Sequence, residues 1–181
     1  LEFVQTVRRT IGNCNATTVF FQVPDTQRVL DETAFWDVYY EHCSYFTEAS
    51  LVHLFESAAF DVQAVWREYD DQYLMLVATP SSASVTTRTP SRDETIATRG
   101  FGDRASTRID WWRGRLSGLN RAGARVALWG GGSKAVAFAT TLNANELIDV
   151  VVDINPYKRH TFLAGTGHPV VAPEDLVQAP P

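Results

Sequence analysis

Apolar residues recur at helical spacing from the start of the chain: Leu1, Val4, Val7 and Ile11 fall on one stripe. The pattern predicts a helix over residues 1–11, stopped by Gly12-Asn13. Residues 17–23 are β-branched and aromatic almost throughout, which predicts a buried strand closed by Pro24-Asp25. An irregular aromatic stretch through Phe35, Trp36, Tyr39, Tyr40, Tyr45 and Phe46 follows. Thr47 then stands where an N-cap belongs, before a helix with Leu51, Leu54, Phe55 and Ala58 on one face. Two further strands, Val62–Tyr69 and Tyr73–Thr79, flank a turn at Asp70-Asp71. A link that short makes them antiparallel, because a parallel pair needs a long crossover.

Residues 80–106 are rich in Ser, Thr, Pro and Arg and poor in large apolar groups, which reads as a linker or surface loop. Beyond it, Ile109, Trp112, Leu116 and Leu119 predict a helix ended by Asn120 and Gly123. A short strand over Arg125–Trp129, a helix over Ala135–Leu142 and a buried strand over Leu147–Val152, ending at Asp153, complete the pattern. The expected division is 1–80, a linker at 81–106, and a second domain at 107–181. A chain that opens on Leu1, inside an amphipathic helix, is expected to be part of a longer protein.

Composition narrows the function. With 45% apolar and 20% charged residues, the chain has an ordinary globular balance. A net charge of −5 without a basic stripe argues against nucleic-acid binding. No apolar run approaches the ~20 residues that cross a bilayer, so no membrane role is expected. Cys14 and Cys43 make no disulfide framework, and the default compartment is the cytoplasm. His53, His160 and His168 are scattered and show no metal-ligand spacing with the cysteines.

Two clusters carry candidate chemistry. Gly130, Gly132 and Ala135 fit G-x-G-x-x-G/A between a strand and a helix, with Asp153 about twenty residues on, where a ribose hydroxyl is commonly read. Glycines let a ligand approach the backbone, and a helix N-terminus offers N–H groups to phosphate. The same glycines are equally what a tight turn between strand and helix needs without any nucleotide. Complete dinucleotide binding is not expected, since it needs two mononucleotide halves, and Lys134 lacks the spacing of a phosphate-binding P-loop. The second cluster is Tyr39-Tyr40-Glu41-His42. A histidine beside a carboxylate is a candidate general base, and a tyrosine can stabilise a developing oxyanion. Composition alone favours structural roles for these residues.

Four ordered stretches change that balance. Phe20–Asp25 with Tyr39–Thr47, Trp129–Lys134, Val151–Lys158 and Gly165–Glu174 resemble the motifs of S-adenosyl-L-methionine (SAM)-dependent C-methyltransferases acting on nucleotide-linked keto-sugars. The resemblance implies an α/β fold: the C-terminal half of a class I methyltransferase sheet, then a small Rossmann-like domain. It implies His42 as the base that ionises a carbon beside a ketone, Glu41 as its assistant and Tyr39 as the group holding or polarising the substrate. Gly130, Gly132, Ser133, Lys134, Asp153 and Asn155 are then expected to shape the substrate pocket. The family's SAM-binding glycine loop has no counterpart in the sequence, so the cofactor is expected in a parent enzyme, and this polypeptide alone is expected to be inactive as a methyltransferase. The sequence departs from the family at Tyr40, where the motif has His. It departs again at Asp70–Met75, which replaces a His-Gly-Gly strand, so the acceptor is expected to differ from the family's usual one.

Two other readings remain open on the sequence. One is a non-catalytic nucleotide or nucleotide-sugar binding module. The other is a dimerisation unit, a homodimer built through the Trp-rich helix at 107–119.

Overall fold

The helix that the leading apolar stripe predicts runs over Glu2–Ile11 (α1) and stops where Gly12 turns left-handed, with φ of 59°. In the computed structural model, residues 1–82 and 98–178 are described. They form two compact units: Leu1–Glu32 with Cys43–Arg99, and Thr33–His42 with Gly100–Pro181. Most of the stretch expected as a linker, residues 83–97, lies outside the described residues. Its last six positions belong to a helix, for reasons given below.

The first unit is a three-stranded sheet backed by helices. Strand β1 (Val19–Pro24) and strand β2 (Phe60–Glu68) both pair antiparallel with the central β3 (Tyr73–Pro80), in the order β1-β3-β2. The β2–β3 hairpin turns at the expected place, with Tyr69, Asp70 and Asp71 all left-handed. Leu74, Leu76 and Ala78 of β3 join Val4, Leu51, Phe55 and Phe60 in one core. Helix α3 (Glu48–Glu56) delivers Leu51 and Phe55 to it and begins at Thr47, whose hydroxyl accepts the Ser50 N–H in a capping box.

Two expectations change here. Strand β1 is an edge strand, and Phe20, expected buried, is 58% exposed on the face away from the core. Alternation of side chains sends every second residue of an edge strand outward whatever its hydrophobicity. A second helix, α2 (Thr26–Glu32), occupies ground expected to be irregular. Asp25, which reads as the residue closing a strand, also accepts the Gln27 N–H through Oδ1 and so starts that helix.

The second unit holds a four-stranded sheet in the order β4-β5-β7-β6. β4 (Ala127–Trp129), β5 (Val150–Val152) and β7 (Pro169–Val171) are parallel, and β6 (Thr161–Phe162) closes the edge antiparallel. Helix α4 (Phe101–Arg121) precedes the sheet. It starts inside the expected linker because Phe101 and the buried Ala105 extend its apolar stripe by two turns. Helix α5 (Ser133–Leu142) links β4 to β5 and buries Ala135, Ala139 and Leu142. Helix α6 (Pro173–Gln178) ends the described chain. No helix among the described residues is long and apolar enough to cross a membrane.

Phe35 joins this second core, because Phe35–Asp37 forms a short 3₁₀ turn packed on α5. Its ring stacks on Phe138 at 5.7 Å, and Trp36 and Trp112 meet Phe138 edge-on at 6.2 and 5.3 Å. Residues 33–42 therefore fold with residues that resume only at Gly100.

Candidate functional site

Strand β4 ends at Trp129, and the chain must then reverse sharply to start α5. Gly130 takes φ of 94°, a conformation that favours glycine, and its N–H still reaches the Val152 carbonyl as an extension of the parallel ladder. At Gly131 there is little room for a side chain. A β-carbon there would lie 3.1 Å from Asp153 Oδ2.

That closeness has a purpose. Asp153 is buried at the end of β5, and its Oδ2 accepts the Gly131 N–H at 2.8 Å and the Lys158 ammonium at 3.1 Å. Its Oδ1 accepts the Asn155 N–H at 2.8 Å. Lys158 also donates to the Gly131 carbonyl at 3.0 Å, so the glycine turn is held from both sides. The Asn155 N–H above all, then the Gly131 N–H and Lys158, hold the Asp153 carboxyl below the usual carboxylate range. Both oxygens are used inside the protein, Oδ2 by two donors and Oδ1 by one, so Asp153 serves to shape the loop and keeps acceptor capacity only on Oδ1. Asn155 is also committed locally: its Oδ1 accepts the Tyr157 N–H and caps a turn.

At the start of α5, Gly132 is the N-cap and, having no side chain, offers no capping acceptor to the first-turn N–H groups. Ser133 and Lys134 follow. Lys134 Nζ lies 2.8 Å from Oδ1 of the buried Asp37.

The Tyr-Glu-His segment sits in the same unit as this loop. Tyr39 and His42 stack at 4.1 Å between ring centres, and the Tyr39 hydroxyl lies 2.9 Å from His42 Nε2. His42 Nδ1 lies 3.3 Å from the Asp37 carbonyl oxygen. A carbonyl only accepts, so Nδ1 carries the proton, and Nε2 accepts from the Tyr39 hydroxyl.

Two clefts open beside these groups. The first, about 640 Å³, is walled by Trp36, Tyr39, Trp112, Leu128, Trp129 and Phe138, with Gly130, Gly132, Ser133, Lys134 and Ala135 at its base. The second, about 550 Å³, includes Tyr39, Glu41, Gly131, Gly132, Ser133 and Lys158. Tyr39, Gly132 and Ser133 belong to both. His42 lines neither and reaches them through the Tyr39 hydroxyl. Glu41 is exposed and faces the second cleft. The fold thus brings Tyr39, Glu41, Gly130, Gly132, Ser133 and Lys134 to adjoining clefts and leaves His42, Asp153 and Asn155 outside their linings.

Sequence reasoning did not single out Trp36, Trp112, Trp129 and Phe138 as cleft walls, or Asp37 as the partner of Lys134. Aromatic residues on an apolar stripe look the same whether they fill a core or line a cleft. Nothing in the local sequence of Asp37 points to a lysine 97 positions away.

A parallel strand–helix–strand unit, turning on glycines and opening into an aromatic cleft, defines a Rossmann-like α/β domain. The model of the C-methyltransferase C-terminal domain family matches residues 91–181, and the chain belongs to that family. No curated protein matches the chain.

Proposed function

We propose that this chain supplies the acceptor-activating part of a SAM-dependent C-methyltransferase whose acceptor is a nucleotide-linked keto-sugar or a similar carbon acid. The family supports methyl transfer to carbon; the ordered motifs of residues 20–47, 129–134, 151–158 and 165–174 support the acceptor class. One observation carries the reading: the Tyr39 hydroxyl, hydrogen-bonded to His42 Nε2, lies on a residue that lines both clefts beside the glycine turn.

In this reading the acceptor lies with its ketone beside Tyr39 and its anionic part toward the N-terminus of α5, where Gly132 and Ser133 line both clefts. The carbon next to the ketone gives its proton to the Tyr39 oxygen while the phenolic proton passes to His42 Nε2. The electron pair moves onto the ketone oxygen, and the enolate is the nucleophile. His42 becomes an imidazolium, its Nδ1–H still held by the Asp37 carbonyl. His42 is thus the base acting through Tyr39, and Glu41 helps by shaping the second cleft. SAM supplies the methyl group as an electrophile when bound. At the glycine turn Asp153 Oδ2 is already held by Gly131 and Lys158, no step is assigned there to the cofactor, and the chemistry assigned to this chain ends at the enolate.

Enolate formation can be measured without methyl transfer. In heavy water, with a nucleotide-linked keto-sugar, the chain is expected to exchange the proton beside the ketone, followed by the loss of its NMR signal. Tyr39→Phe and His42→Ala should each slow this by roughly 10²–10⁴-fold, the usual worth of a positioned acid or base. Equal exchange by wild type and both variants would sink the reading.

A further inference from the structure

Asp37 ends the 3₁₀ turn that carries Phe35 and Trp36 into the second core, and its side chain is only 6% exposed. A buried carboxylate costs free energy that an apolar side chain in the same seat would not. Here only half of the group is matched: Oδ1 faces Lys134 at 2.8 Å, while Oδ2 is buried without a hydrogen-bond partner among the described residues. Packing alone gives no reason for a charge at this position, because the turn already seats itself on α5 through Phe35. What the charge adds is a fixed link between the turn and the second residue of α5, at the foot of the cleft.

The same residue holds the other side of the site. Its carbonyl accepts the His42 Nδ1–H, and Tyr39, two residues on, donates to Nε2. One residue therefore ties the glycine turn, through Lys134, to the imidazole tautomer that Tyr39 needs.

We propose that Asp37 is the positioning residue of this site: its ion pair with Lys134 sets the Tyr39–His42 pair against the glycine turn and keeps the imidazole in the Nδ1–H form. The proposal rests on the roles given above to Tyr39 and His42.

The test uses the whole chain with ¹⁵N-labelled histidine, at about pH 8, where an ordinary imidazole is neutral. Wild type is expected to show one tautomer at His42, protonated on Nδ1. Asp37→Asn keeps the shape and one carbonyl oxygen but removes the charge, and should lose this signature, with the two nitrogen shifts moving toward each other. Lys134→Met, at a half-exposed position where the side-chain stem is kept, should lose it too. Lys134→Arg should restore it. Circular dichroism and a cooperative melt establish that each variant is folded, which separates positioning from a merely structural role. A folded Asp37→Asn or Lys134→Met protein with wild-type His42 shifts overturns the proposal. If Asp37→Asn does not fold, the Lys134 variants decide alone. The readout is a nitrogen shift and not turnover, so the two ideas fail separately. Variant-sensitive His42 shifts with no proton exchange would refute the base and leave Asp37 in place, while normal exchange with insensitive shifts would do the reverse.

Discussion

A carboxylate at position 153 and a missing β-carbon at position 131 are two halves of one device. The loop brings its Gly131 N–H within 2.8 Å of Asp153, and a β-carbon there would crowd the same oxygen at 3.1 Å. Since the folded protein holds the Asp153 carboxyl below its ordinary value, folding favours the ionised form. Its contribution is complete above an unfolded-state value near ~4 and is lost as pH falls through the lower folded value. Asp153→Asn should therefore flatten the acid limb of the second unit's stability profile below about pH 4, read by urea melts at stepped pH. An unchanged acid limb would mean the network contributes nothing. The acidic residue and its spacing from the glycines are legible in the sequence. Its employment inside the loop is not, because the same spacing serves a ribose or a lysine such as Lys158.

Among elements, α2 and β2 depend on one ion pair. Asp25 is buried, starts α2 by accepting the Gln27 N–H, and receives Arg67 Nε from β2 at 2.7 Å. That hydrogen bond, ahead of the charges of Asp25 and Glu48, raises the already high pKa of Arg67. Arg67→Ala would leave one oxygen of a buried carboxylate without its cation. The expected loss is about 2–3 kcal/mol from the first unit, reduced from a fully buried pair because Arg67 is partly exposed. Chemical denaturation followed through the first unit's helices measures it, and a loss near zero would show that water replaces the guanidinium. The helix itself was not legible: it has seven residues and only Val29 and Leu30 turned inward, too few for a stripe to stand out. The longer α1, α3, α4 and α5 were legible, since each repeats its apolar face over at least two turns.

At the scale of the molecule, the chain leaves its first unit after Glu32, contributes residues 33–42 to the second, and returns. The family match begins at residue 91, so this excursion supplies the second unit with residues from outside the matched region. Without it the ring of Phe138 loses its stacked partner Phe35 and its neighbour Trp36. A polypeptide of residues 100–181 should consequently be less stable, and a synthetic peptide of residues 33–42 should bind it and change its tryptophan fluorescence. A Phe35→Ala peptide should bind weaker by about 3–5 kcal/mol if the ring is as well packed as in a core. No binding by the unmodified peptide to a folded 100–181 polypeptide would show that the excursion is dispensable to that core.

What the sequence determined by itself is local: apolar period set the long helices and the hairpin, glycines and capping residues set where they end, and ordered motifs pointed to the family. These follow from neighbours along the chain, whose spacing is fixed by covalent geometry. The tertiary structure alone decided that residues 33–42 leave their sequence neighbours, that Asp37 meets Lys134, and that Asp153 turns inward to the loop. The first two join residues far apart in sequence, and the third adds Gly131 to the nearby Asn155 and Lys158; such pairings depend on which surfaces bury best together, a choice no local pattern contains.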